Sequence, residues 1–203
     1  DRAMALLEEA GFTDTDGDGV RENADGVRLS MLYQTSTNAV RQDFQALIKE
    51  WWEAIGFEVE LRNIDAGVYF GGDPASPDTF QKFYADVEMY ANNFEGADPQ
   101  AYLSAYTCDK IPSPETQWQG ENINRICDPA YEEMVAQLAA TGDLNERAAL
   151  AQAMNNFVTA DSNIIIPLVD RGRVSAHSNT LGGVLLNTWD SELWNAADWH
   201  RIQ

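Results

Sequence analysis

Two alternating segments that bracket one amphipathic stripe set the frame for this chain. Val27 to Tyr33 and Phe57 to Ile64 place apolar residues at alternate positions, the pattern of a half-buried strand. Between them Phe44, Leu47, Ile48, Trp51 and Ile55 recur at helical spacing. A helix over 39–55 with those five residues in the core is therefore expected, with Trp52 at its margin. The polar run 34–38 opens the helix and Gly56 stops it. Strand, helix and strand with connections this short predict a right-handed parallel βαβ unit. In parallel sheets ligands sit beyond the carboxyl ends of the strands, so the segments after Tyr33 and Ile64 face the expected site.

The first strand is preceded by an acidic loop, Asp14-Thr15-Asp16-Gly17-Asp18-Gly19-Val20-Arg21-Glu22. Asp14, Asp16 and Asp18 set carboxylates at alternate positions and Gly19 permits a sharp turn. With the Val20 carbonyl and Glu22 or Asp25 this makes an oxygen set suited to Ca2+, in a structural role. The flanks differ from an EF-hand, because a helix over 2–10 precedes the loop and a strand follows it. The twelfth loop position is also Asp25, where the EF-hand has a bidentate Glu. A solvated acidic turn is the alternative.

Further along, Tyr84 to Ala91 reads as a third strand that delivers the polar loop 92–99 at its end. Asn92, Asn93, Glu95 and Asp98 in that loop could fix a polar ligand by directed hydrogen bonds, Glu95 pairing with a cationic amine. An ordinary turn ending in Asp98-Pro99 is the competing reading. Tyr102 and Tyr106 follow on a short helix, and Trp118 lies in the irregular stretch 110–125. Asp128 caps a helix with Pro129 at its first position, turning Tyr131, Met134, Val135 and Leu138 inward. Asp143 and Glu146 form a capping-box pattern ahead of the stripe Leu150, Met154, Phe157 and Val158. Asn163 to Val169 is expected to be an apolar strand, central up to Pro167. The C-terminus holds Trp189, Trp194 and Trp199, which call for an apolar surface.

Composition narrows the function classes. Hydrophobic content of 44% and 6 Trp fit a packed domain. No apolar run approaches the roughly 18 residues that span a bilayer. A net charge of -20, from 13 basic and 33 acidic residues, argues against a nucleic-acid partner. The chain opens inside a helix without an initiator Met, as a mature or excised fragment would, so compartment is not readable from a leader. Cys108 and Cys127 are too few for a structural zinc site unless His joins them. A disulfide is the better reading, worth about 3 kcal/mol by loop entropy and implying an oxidising compartment. Nucleophile elbow, zinc-protease and Walker motifs are missing from the sequence. His177 and His200 stand far apart and read as structural or surface residues, and the pairs Glu8/Glu9 and Glu132/Glu133 read as solvated helix faces.

Six strings carry a family resemblance: LLEEAGFTDTDGDGVRE, LIKEWWEAIGFEVELRNID, ADVEMYANNFEGADPQAYL, CDPAYEEMVAQLAAT, ERAALAQAMNNFVTADSNIIIPLV and WDSELWNAADW. In order and spacing they resemble the peptide, oligopeptide and nickel class, family 5, of the extracytoplasmic solute-binding proteins that serve ABC importers. The resemblance implies an α/β, periplasmic-binding-protein type II-like lobe: βαβ units and a mixed, mostly parallel sheet flanked by helices. It implies that residues 1–170 are the second, ligand-binding lobe. Residues 171–203 would be the C-terminal segment returning toward a first lobe.

Peptide-binding members often carry a Trp and then an Asp ahead of the Asp-Pro pair, where this chain has Asn92 and Glu95. Dipeptide binders place an Arg after the first strand, where this chain has Tyr33 and Gln34. Tyr33, Gln34, Asn92, Asn93, Glu95, Asp98 and Trp118 are accordingly the candidate ligand-binding residues, and the departures favour a longer peptide or another polar solute. The implied protein is a non-enzymatic, monomeric, extracytoplasmic capture component, periplasmic or at the cell surface, that closes on its solute and docks on permease subunits. A secreted hydrolase and a calcium-dependent interaction module are the rival readings.

Overall fold

The computed structural model describes residues 1–92, 97–170, 172, 174–187 and 190–202. It divides into two compact units, Asp1–Asn92 with Lys110–Arg125, and Asn93–Asp109 with Ile126–Gln203.

The first unit is built on the expected βαβ frame. Helix α1 (Arg2–Glu9) leads through the acidic loop to β1 (Ser30–Ser36), α2 (Ala39–Glu53) and β2 (Glu58–Ile64). A short α3 (Ala66–Tyr69) and a 3-10 turn at Phe80–Lys82 precede β3 (Val87–Met89). The sheet order is β2-β1-β3, with both pairings parallel and β1 central. Strand β1 starts three residues later than the alternation predicts. The Asn23 side chain accepts the N–H groups of Asp25 and Val27, which holds that segment in a turn and leaves Val27 exposed.

Helix α2 is capped by Asn38, whose side chain accepts the Arg41 N–H. Its buried face differs from the expected stripe. Leu47 and Trp51 are exposed, Trp51 at 64%, while Gln45, Ile48 and Trp52 turn inward. Gln45 wins its place because its amide bonds the Tyr33 carbonyl at 2.6 Å and receives the Asn63 amide at 2.7 Å, tying helix to sheet. Tyr33, Ile48 and Val59 form the small apolar core there, with Trp52 packed on Tyr33 at 5.4 Å between ring centroids.

Gly56, at φ +102, ends the helix where Arg21 crosses. A Cβ at Gly56 would lie 2.5 Å from Arg21 Cγ. Arg21 is buried; its N–H donates to the Gly56 carbonyl and its guanidinium to the carbonyls of Ile55 and Phe12.

The second unit is helical. It comprises α4 (Gln100–Leu103), α5 (Pro129–Ala140), α6 (Leu144–Asn156) and a π turn over Phe157–Asp161. Tyr131, Leu138, Met154 and Val158 are buried with Leu103, Tyr106 and Ile126, as the stripes of both long helices predict. Asp128 and Asp143 cap α5 and α6 through their carboxylates. Cys108 and Cys127 form a disulfide, with Cα atoms 4.7 Å apart. Beside it Glu132, expected on a solvated face, accepts the Cys108 N–H at 2.7 Å.

The run 163–169 does not form the expected strand. The Ile165 N–H bonds back to Val158 O, and Ile164 and Ile165 pack on the helical core while Ile166, Leu168 and Val169 are exposed. Ile164 and Ile165 thus complete the helical core. The C-terminal part carries an antiparallel pair, β4 (Leu181–Gly182) with β5 (His200–Arg201). Trp194 and Trp199 donate their indole N–H groups to Leu185 O and Asn195 Oδ1, and Trp194 stays 46% exposed; Trp189 lies outside the described residues. No helix among the described residues is long and apolar enough to cross a membrane.

Candidate functional site

Parallel pairing brings the carboxyl ends of β1, β2 and β3 to one edge, with Ser36 beside Ile64 and Thr35 beside Met89. Above that edge stand four aromatic rings in sequence: Tyr69 to Phe70 at 4.9 Å, Phe70 to Phe80 at 5.5 Å, and Phe80 to Tyr90 at 5.4 Å. Arg41, in the first turn of α2, lays its guanidinium carbon 5.3 Å from the Phe70 centroid and donates to Ser36 Oγ at 2.7 Å. Among the described residues no carboxylate reaches Arg41 as an ion pair. A guanidinium on an aromatic platform, with donors left over, suits a carboxylate or other planar anionic group. Sequence inspection overlooked Arg41. Its one signal was that it is the first cation after β1, three residues past the helix cap.

Beneath the rings lies a buried polar layer. Gln34, 2% exposed, donates through Nε2 to Glu88 Oε1 on the neighbouring strand. Burial pushes the Glu88 carboxyl up to about 8, with the Gln34 hydrogen bond and the Arg125 charge pulling it down by less. At neutral pH that carboxyl is mostly protonated. Gln34 Oε1, Glu88 Oε2 and the Tyr69 hydroxyl are buried without a hydrogen-bond partner among the described residues. Burial, then the neighbouring Glu88, raise the Tyr69 hydroxyl far above its ordinary value. This layer links β1 to β3 through the Gln34–Glu88 hydrogen bond.

The expected ligand-binding residues separate accordingly. Gln34 belongs to the buried polar layer just below the strand ends. Tyr33 does not face a ligand: strand alternation turns it to the α2 side, where it is 2% exposed, and burial pushes its hydroxyl up to about 12. Asn92 is exposed at the end of the segment that leaves β3. Asn93 and Glu95 lie outside the described residues. Asp98 is structural, since it accepts the Gln100 N–H and pairs with Arg147 at 2.6 Å, which together hold its carboxyl below the usual range. Trp118 packs against Tyr84 and Lys82 in a groove that none of Tyr33, Gln34 and Asn92 lines.

In the acidic loop, Asp14, Asp16 and Asp18 come together with carboxylate oxygens within 4.8 Å of one another, all three exposed. Asp14 accepts the N–H groups of Gly17 and Gly19, and Asp18 accepts the Val20 N–H and pairs with Arg28 at 2.6 Å. The Arg28 hydrogen bond is the main reason the Asp18 carboxyl sits below its usual range. Glu22 stands apart from the three: it is buried and accepts the Thr15 N–H and hydroxyl. Asp25 sits in the following Asn23 turn. The donor chemistry of the three aspartates fits a hard cation, with Arg28 a competitor for Asp18.

A family model described as "Bacterial extracellular solute-binding proteins, family 5 Middle" matches residues 1–113. The oligopeptide-binding protein AppA of Bacillus subtilis is 35% identical over 65 residues, which is 32% of this chain and 12% of AppA. Among solved structures, B. subtilis AppA in complex with a nonapeptide superposes with a TM-score of 0.69 at 17% identity, covering 100% of this chain and 37% of that one. NikZ from Campylobacter jejuni, in complex with Ni(L-His), gives 0.70 at 16% identity, covering 98% and 38%. An oligopeptide-binding protein from Thermus thermophilus complexed with a pentapeptide gives 0.64 at 22% identity, covering 77% and 27%. The chain therefore spans well under half the length of each of these relatives.

Proposed function

Because the chain belongs to the bacterial extracellular solute-binding proteins, family 5, we propose that it is the ligand-binding part of an ABC importer's capture component, taking a peptide or similar polar solute with a free carboxylate. Arg41 carries this reading. It stands at the strand ends over Phe70, with no described carboxylate as ion-pair partner, in a chain whose net charge is -20. The AppA and Thermus relatives are described with bound peptides, which supports a peptide as one solute class.

In this reading residues 1–170 act as the second lobe and 171–203 return toward a first lobe. The assembled protein works as a monomer outside the cytoplasm. It closes on its solute by hinge motion and presents it to the permease subunits without a chemical step. Asn92, on the segment that follows β3, would meet the solute's amino end. The Asp14, Asp16 and Asp18 loop would take Ca2+ as a stabilising ion.

Isothermal titration of the full-length protein with peptides of two to nine residues, as free acids and as C-terminal amides, tests the proposal. Free acids should bind, amides at least tenfold more weakly, and Arg41→Ala should erase that difference. Absence of binding by every peptide, or equal binding of acids and amides, would sink it.

A further inference from the structure

A second set of cations stands apart from Arg41. Lys82, Phe83, Tyr84, Pro112, Trp118 and Arg125 line a groove of about 520 Å3 in the first unit. Lys82 is only 6% exposed, and its ammonium makes one hydrogen bond, to Pro74 O at 2.8 Å, while lying 5.1 Å from the Trp118 ring centroid. Arg125 spends its guanidinium on the carbonyls of Ile123, Gln81 and Lys82. Neither residue has a carboxylate ion-pair partner among the described residues, although acids outnumber bases 33 to 13 in the sequence. A buried cation without an anion is unfavourable, and this one retains unused donors at the wall of an open groove.

The apolar walls complete the picture. Tyr84 meets Trp118 edge to face at 6.1 Å, and Pro112 closes one side. The backbone is bent to present them: Phe83, Trp118 and Arg125 all hold left-handed conformations, at φ 48, 61 and 57. Non-glycine residues avoid that region unless their surroundings enforce it, and such residues gather where a surface must take a set shape.

We infer that this groove is a second binding site, for a carboxylate carried on an aromatic or apolar body, as at the C-terminal end of a peptide with an aromatic last residue. The carboxylate would sit on the Lys82 ammonium beside Arg125, and the body would stack on Trp118 and Tyr84. The inference does not rest on the importer reading, since it uses no residue of the Arg41 platform.

The test titrates N-acetylphenylalanine and its amide into the chain, following the Trp118 indole N–H signal (assigned with Trp118→Phe) and heats by calorimetry. The acid should shift that signal saturably and bind at least tenfold more tightly than the amide. Lys82→Gln should remove this preference, Lys82→Arg should keep it, and Arg41→Ala should leave it unchanged. Should Lys82→Gln fail to fold, Trp118→Leu takes its place and should weaken the acid at least tenfold by calorimetry. Equal binding of acid and amide, an unmoved Trp118 signal, or a preference that survives both substitutions would overturn the inference.

Discussion

The two units solve the problem of an interior in opposite ways. The helical unit buries Leu103, Tyr106, Tyr131, Leu138, Met154 and Val158, with Thr107 and Asn195 as its described buried polar residues. The sheet unit buries Arg21, Glu22, Gln34, Thr35, Ser36, Gln45, Thr79, Lys82 and Asn122 around a much smaller apolar cluster. An apolar interior gains from burial at every contact, whereas a polar one is tolerated only where each group finds a partner. Buried oxygens of Gln34, Glu88 and Tyr69 lack one among the described residues, directly beneath the candidate solute platform. The larger apolar cluster lies in one unit and the candidate solute platform in the other.

The sharpest way to break this contrast is through the helical core. Tyr131→Ala removes a fully buried ring and its hydrogen bond to Leu103 O, and should destabilise by about 4 kcal/mol, read as a lower denaturant midpoint. A loss below about 1 kcal/mol would mean the helical unit is not the stabilising half.

Next comes Glu88, whose effect depends on pH. Its carboxyl titrates near 8 when folded and near its ordinary 4.5 when unfolded. Below about 4.5 both states are protonated and pH has no leverage. Between 4.5 and 8 the unfolded chain ionises first, so stability falls as pH rises and levels off above 8. Glu88→Gln should flatten that slope and, above pH 8, stabilise by up to about 5 kcal/mol. Chemical denaturation across pH 4 to 9 checks it, and an unchanged slope would count against the buried acid.

Arg41→Ala should leave the unfolding midpoint within about 0.5 kcal/mol of the parent, as a partly exposed residue should. Its solute affinity should fall at least tenfold, separating recognition from stability in a single variant. The smallest effect belongs to the acidic loop. Millimolar Ca2+ in place of chelator should stabilise by on the order of 1 kcal/mol in thermal melts, and Asp16→Asn should abolish the response. Identical melts in calcium and chelator would dispose of the ion.

Much of this contrast is written locally in the chain. The helical unit was legible because its stripes are uniform: Tyr131, Leu138, Met154 and Val158 fall where a 3.6-residue period puts them. The βαβ frame was legible from alternation and the caps. Legibility failed where a polar residue displaced an apolar one. Gln45 took an inward position because it closes two hydrogen bonds to the sheet, leaving Leu47 and Trp51 outside. The run 163–169 is apolar enough for a strand, and only the neighbouring helices decide that it packs on them. Within the candidate site, Gln34 and Glu88 are 54 positions apart and meet only through the β1–β3 pairing. Arg41 reads as one more surface charge until Phe70 is placed beneath it.

Arg21 has a practical consequence for anyone handling this chain. Its side chain ties Phe12, in the segment before Ser30, to Ile55 at the helix-to-strand corner, alongside the Arg28–Glu58 ion pair. Arg21→Ala should loosen the leading 29 residues, read as faster trimming by trypsin-like proteases, while the sheet behind them keeps its order.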